Sequence, residues 1–205
     1  MGEKQSINFD IREYKSSLRA KYKKYRLDMP EDVKKSYDEK IFSKVIKLSA
    51  YKNCKTLLAY VSTAIEVDTI MLIKQALADG KTVALPRCVV GTRDMVFYVI
   101  KSLKDLEKGS FSVPEPIPEK CRKLTDFSNA FCIVPALVYD SSGFRLGYGK
   151  GYYDRFLSAH KGMYLVGIGY CGCTVTKLVH GRFDVPVDLL VTEKYVKKCG
   201  KEYTD

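Results

Sequence analysis

Apolar residues recur along this chain at two different periods. Ile11, Tyr14, Leu18, Tyr22 and Tyr25 follow one another at spacings of 3, 4, 4 and 3, which is one face of an α-helix. Asp10 stands before them as an N-cap with Glu13 three residues on, a variant of the capping box. "LDMPED", residues 27–32, breaks that helix: Asp28 can cap, and Pro30 suits the first turn of a second helix reaching about Ser49. From there short apolar runs alternate with helical segments. "KTLLAYVS", "KTVALPR", "DMVFYVI", "AFCIVPALVYD", "MYLVGIGY" and "VDLLVTE" read as strands. "EVDTIMLIKQALADG" reads as a helix with Asp68 as N-cap and Gly80 just past its end, and "SLKDLEKG" and "YYDRFLSAH" read as shorter helices. "VPEPIPEK" carries three prolines in five residues and reads as extended or turning loop. Strands alternating with helices predict an α/β fold: a single three-layer α/β/α domain over residues 1–205, Rossmann-like, its mostly parallel sheet covered by helices on both faces. The basic first helix precedes the sheet, and residues 1–9 and 194–205 are expected to fray.

Charge changes the picture of that first helix. The chain of 205 residues carries a net charge of +11. Residues 1–55 hold 15 Lys and Arg against 8 Asp and Glu, a net of +7, so the excess is concentrated at one end. Arg12, Lys15, Arg19, Lys23 and Arg26 form a second stripe on the first helix, at spacings of 3, 4, 4 and 3. One stripe can dock while the other presents a row of cations. Nucleic acid, an acidic membrane or a small polyanion could meet such a row, and a merely solvated basic face could also produce it.

A second concentration of chemistry lies in "GFRLGYGKGYYDRF", Gly143 to Phe156, where a strand passes through a turn into a helix. In open α/β sheets, ligands bind beyond the carboxyl ends of strands. Gly147, Gly149 and Gly151 alternate, so backbone N–H groups can approach a bulky anion closely. The helix from Tyr152 adds the positive end of its dipole, and Arg145 and Lys150 add formal charge. The stretch matches neither the P-loop, because Lys150 is followed by Gly151, nor the dinucleotide fingerprint, because its glycines run Gly-x-Gly-x-Gly.

"GFRLGYGKGYYDRFL" closely resembles the signature of the 5-formyltetrahydrofolate cyclo-ligase family. "KSSLR", "YVSTAIEVDT", "ALPR", "VPEP", "IVPALVYDSSG" and "VPVDLLVTE" follow in the family's order, so the resemblance covers nearly the whole chain. It implies a cytoplasmic enzyme that uses ATP and Mg²⁺ to convert 5-formyltetrahydrofolate to 5,10-methenyltetrahydrofolate. By the same resemblance Lys15, Arg19 and the stretch Arg145, Leu146, Gly147, Tyr148, Gly149, Lys150, Gly151, Tyr152 and Tyr153 bind ATP. Val61, Glu66, Tyr148 and Tyr152 bind the folate, Asp154 and Asp188 hold magnesium, and Arg145 and Lys150 stabilise charge on the transferring phosphoryl group. No protein nucleophile is implied. Three positions depart from the family pattern: Ala136 replaces a common glycine, Tyr139 a common phenylalanine, and Phe183 precedes Asp184 where a histidine is frequent.

The remaining composition is compatible with this reading. Seven cysteines are an odd number, none in a Cys-x-x-Cys pair, and with only two histidines beside them they give no zinc spacing. The only close cysteine pair is Cys171 and Cys173. No apolar run of membrane-spanning length is present. The expected partner is the folate, as a polyglutamate or not, bound to a monomer without nucleic acid or membrane. A nucleic-acid-binding protein, and a non-catalytic folate or nucleotide binder on the same fold, are the alternatives.

Overall fold

A computed structural model describes residues 10–110 and 113–199. Helix α1 (Ile11–Leu27) is followed by α2 (Glu31–Lys47), the short α3 (Ser49–Asn53) and the first strand, β1 (Thr56–Leu58). Helix α4 (Ile70–Ala78) leads to β2 (Thr82–Cys88), β3 (Met95–Ile100), β4 (Leu106–Lys108), β5 (Pro114–Pro116) and β6 (Arg122–Lys123). Then come β7 (Phe131–Val134), β8 (Val138–Asp140), β9 (Arg145–Leu146), α5 (Tyr152–Ala159) and β10 (Tyr164–Ile168). The chain closes with β11 (Thr174–Val175), β12 (Leu189–Val191) and β13 (Val196–Lys198).

Eight strands form one sheet in the order β13-β12-β10-β7-β1-β2-β3-β6. Its five central strands run parallel, and the outer pairings are antiparallel. The apolar runs are buried on both faces because successive side chains point to opposite sides. Leu57, Phe131 and Ile133 pack under α1–α4 with Tyr22, Ile41, Val45 and Ile73. Leu58, Cys132 and Val134 pack on the other face with Phe156 and Leu157 of α5. The three layers and the mostly parallel sheet therefore agree with the sequence.

Four local expectations are corrected. "AFCIVPALVYD" is two strands, because the chain leaves the main sheet at Pro135; β8 pairs with β9 and β11 in a separate three-stranded sheet. "SLKDLEKG" contains only a single 3₁₀ turn, Leu103–Asp105, before β4. Asp68 is not the N-cap of α4: that residue is Thr69, although the Asp68 carboxylate still accepts from the Ile70 N–H at 2.7 Å. The chain does not fray from Lys194, since β13 pairs with β12. Residues 1–9 and 200–205 lie outside the described residues.

Helix α1 begins as its sequence indicates, with the Asp10 carboxylate accepting from the N–H groups of Arg12 and Glu13. Its end does not follow the stripe. Arg26 is only 4% exposed, and its guanidinium donates to the carbonyls of Ala136 at 2.7 Å, Leu137 at 2.9 Å and Ile65 at 3.3 Å. The Tyr170 ring lies 5.5 Å from the guanidinium carbon. A buried charge is tolerated only when it is well hydrogen-bonded. Replacing Arg26 leaves three buried carbonyls short of a charged donor, so Arg26→Met should lower unfolding free energy by about 2–4 kcal/mol. Urea titration checks this, and a midpoint equal to wild type would refute it.

Candidate active site

The sheet reverses its winding between β1 and β7: β1 leads through α4 to β2 on one side, and β7 leads past α5 to β10 on the other. Tyr60 and Val61 leave the carboxyl end of β1, and Pro135 leaves that of β7. All three line one cavity of about 590 Å³. Parallel α/β sheets place their ligands at such a switch point.

Helix α1 forms one wall. Lys15, Arg19 and Lys23 line the cavity, at the fourfold spacing that puts them on one face. The Arg19 Nε donates to the Gly147 carbonyl at 2.9 Å, and the Lys15 ammonium stands 3.8 Å from Asp184. Lys23 lies over the Tyr148 ring, 5.6 Å from its centre. The glycine loop forms the adjoining wall. Gly149 has φ +93° and Gly151, the N-cap of α5, has φ +77°, left-handed conformations that other residues adopt at a cost. A Cβ at Gly149 would come within 3.2 Å of the Arg19 guanidinium, so a larger residue here would displace that side chain on the loop. Gly147 has no such φ; a Cβ there or at Gly151 would enter open space.

Arg145 is deeper than its sequence context indicates. Its side chain is 4% exposed, and the guanidinium donates to Asp154 at 2.5 Å and to the Val185 carbonyl at 2.5 Å. Burial pushes the Asp154 carboxyl above its usual range; Arg145 opposes the rise, Asp184 adds to it, and Lys15 opposes it. Lys150 lines the cavity from an exposed position. The Tyr153 hydroxyl is buried without a hydrogen-bond partner among the described residues, and its ring lines the same cavity.

Two carboxylates stand apart from this cationic region. Glu66 is 6% exposed, and its Oε2 accepts from the Thr63 N–H at 2.8 Å and the Thr63 hydroxyl at 2.9 Å. Burial and the negative charge of Glu66 both raise the Tyr148 phenol. Glu115, 5% exposed, lies by Cys88, whose backbone N–H reaches it at 3.4 Å. Burial first and Glu115 second push the Cys88 thiol up to about 11.

Lys15, Arg19, Val61, Glu66 and the continuous stretch Arg145 to Asp154 are thus brought together around one cavity. Asp188 is not. It precedes β12 at its amino end, and its Oδ2 accepts from the Leu165 N–H at 2.7 Å. Asp184, four residues earlier, occupies the cavity beside Asp154 instead. Sequence reasoning passed over Lys23 as a ligand-facing cation although it lay on the stripe, and gave Glu115 no role although "VPEP" was singled out. Of the departures, Tyr139 is accommodated in the core: its hydroxyl donates to the Val134 carbonyl at 2.5 Å, and its ring lies over Gly167, where a Cβ would come within 2.6 Å.

Comparisons with known proteins show the family and the fold. The model of the 5-formyltetrahydrofolate cyclo-ligase family matches residues 11–193, and the chain belongs to that family. Among curated relatives, a probable 5-formyltetrahydrofolate cyclo-ligase of Caenorhabditis elegans is 32% identical over 73% of this chain and 75% of the relative. One of Schizosaccharomyces pombe is 30% identical over 72% and 76%. The NMR structure of Aquifex aeolicus 5,10-methenyltetrahydrofolate synthetase superposes with a TM-score of 0.81 at 32% identity, covering 93% of this chain and 95% of that one.

The Cys88 environment is open to a direct check. A thiol held near 11 alkylates slowly at pH 8, because thiolate is the reactive form. Removing the neighbouring charge with Glu115→Gln should lower that value and speed iodoacetamide labelling of Cys88 about threefold or more, as read by peptide mass spectrometry. An unchanged rate would mean that Glu115 does not sit against the thiol.

Proposed function

We propose that this chain catalyses ATP- and magnesium-dependent closure of 5-formyltetrahydrofolate to 5,10-methenyltetrahydrofolate, releasing ADP and phosphate. The observation that carries the proposal is the convergence on one switch-point cavity of the α1 cations, the glycine loop and a buried carboxylate. Arg19 faces inward against the loop and Lys15 toward Asp184 in the same cavity, which favours a small polyanion over an extended nucleic acid. No helix among the described residues is long and apolar enough to cross a membrane. Seven unpaired thiols fit a reducing cytoplasm.

The formyl group on N5 is amide-like, a poor electrophile with a poor leaving group. Its oxygen attacks the γ-phosphorus of ATP; the new O–P bond forms as the bond to the β-phosphate oxygen breaks and ADP leaves. N10 of the same folate then attacks the activated carbon. The C–O bond breaks, phosphate leaves, and N10 loses its proton. Both nucleophiles belong to the substrate, so the protein must align them and neutralise charge. Lys15, Arg19 and Lys150, with the N–H groups of the glycine loop, supply donors to the phosphates. Arg145 is the buried member of its pair with Asp154 and also donates to the Val185 carbonyl, so it positions that acid and adds a fixed positive field rather than acting as a mobile clamp. Val61, Tyr148 and Tyr152 border the folate, with Glu66 accepting from it.

Among the described residues no group of three or more His, Cys, Asp or Glu could hold a metal ion by itself. Magnesium commonly needs only one or two carboxylates together with phosphates and water. Asp154 and Asp184 line the cavity and fit that limited part; Asp188, bonded to Leu165, does not. Bound with ATP, the ion supplies charge neutralisation at the phosphates.

The central test is the appearance of methenyltetrahydrofolate absorbance from 5-formyltetrahydrofolate, with loss of signal on omission of ATP or Mg²⁺. No absorbance change with both present would refute the proposal. Asp184→Asn should raise the magnesium concentration for half-maximal rate about tenfold, whereas Asp188→Asn should keep it within about twofold. The opposite ranking would restore Asp188 as the ligand.

A further inference from the structure

We infer that Glu115 is a second substrate-reading carboxylate, which accepts the paired donor edge of the pterin, its ring N–H and adjacent amino group. The inference rests on the folate reading above. Glu115 is 5% exposed yet lines the cavity. It forms no ion pair among the described residues. Its described hydrogen bonds both come from Cys88: the long contact of 3.4 Å from the backbone N–H to Oε1, and one from the thiol. The neighbouring thiol is a weak donor. An ionised carboxylate offers about four acceptor positions, and leaving them unfilled in a buried setting is costly.

The side chain is also held in place. A Cβ at Gly109 would come within 2.6 Å of Oε2, so the carboxyl group lies against a position that only glycine leaves open. Glu66 has less to offer a bidentate ligand, since its Oε2 already takes two bonds from Thr63. A donor pair on one edge of a ring needs both oxygens of one carboxylate. Glu115 has them, whereas on Glu66 only Oε1 is free of Thr63. Met95 and Pro114 line the cavity beside Glu115 and give a flat ring apolar surface.

The test compares 5-formyltetrahydrofolate with an analogue lacking the pterin 2-amino group, on wild type, Glu115→Gln and Glu115→Ala. Wild type should prefer the complete substrate by about tenfold or more in kcat/KM. Both variants should raise KM for the complete folate about tenfold, keep KM for ATP within about twofold, and lose most of that preference. The ATP constant reports that the variants are folded, and the glutamine variant preserves the side-chain volume. Variants that retain the full preference, or an unchanged folate KM, would overturn the assignment while leaving the reaction intact. A wild-type protein that closes no ring would instead overturn the folate reading, and this inference with it.

Discussion

One guanidinium holds the working parts of this molecule in register. Helix α1 contributes no strand and follows no crossover rule; its position over the sheet has to be fixed by contacts. Arg26 fixes it by donating to the carbonyls of Ala136 and Leu137, just beyond the point where β7 ends, and to the carbonyl of Ile65, next to Glu66. The break at Pro135 frees these acceptors from the ladder of the main sheet. The same event that ends a strand therefore provides the socket for a helix. Lys15, Arg19 and Lys23 sit on that helix at fixed spacings from Arg26, so anchoring its last turn sets where all three ammonium and guanidinium groups point.

The charges around the cavity are arranged by depth. Arg145 and Arg26 are buried and bonded to groups that cannot move away, so they act as framework. Lys15 is partly exposed and paired at only 3.8 Å, an arrangement that a phosphate can exchange at small cost. The raised Asp154 carboxyl shows what the same site does to an anion: burial outweighs the adjacent Arg145. Anion binding in this cavity therefore has to rely on the cations of α1, Lys15, Arg19 and Lys23, which is where the proposed triphosphate would be met.

Much of the architecture was legible because it depends on local patterns. Alternating apolar runs gave the sheet, the Asp10 cap gave the start of α1, and the spacing of the glycines gave the turn before α5. What the sequence concealed depended on partners remote in the chain. Arg26 continues the cationic stripe in spacing, and nothing nearby in sequence reveals that carbonyls 39 and 110 residues away will bury it. Tyr139 departs from the family pattern, yet Gly167 on β10 of the main sheet leaves room for its ring. Pro135 sits inside an unbroken apolar run, so hydropathy reads straight across the place where the chain changes sheets.

The two acids of "FDVPVD" make the same point most sharply. Asp184 and Asp188 stand four residues apart around Pro186, in a segment with no helical or strand pattern to orient them. Composition treats them alike, and both precede apolar residues. Their difference arises from the parallel sheet. Asp188 is carried to the amino end of β12 by the register that sets Leu189 against Val166, and there the Leu165 N–H claims its carboxylate. Asp184 is left in the loop whose next carbonyl, that of Val185, is gripped by Arg145, and so it turns toward Lys15 and Asp154. The buried arginine that orders the glycine loop thus also selects which aspartate reaches the cavity.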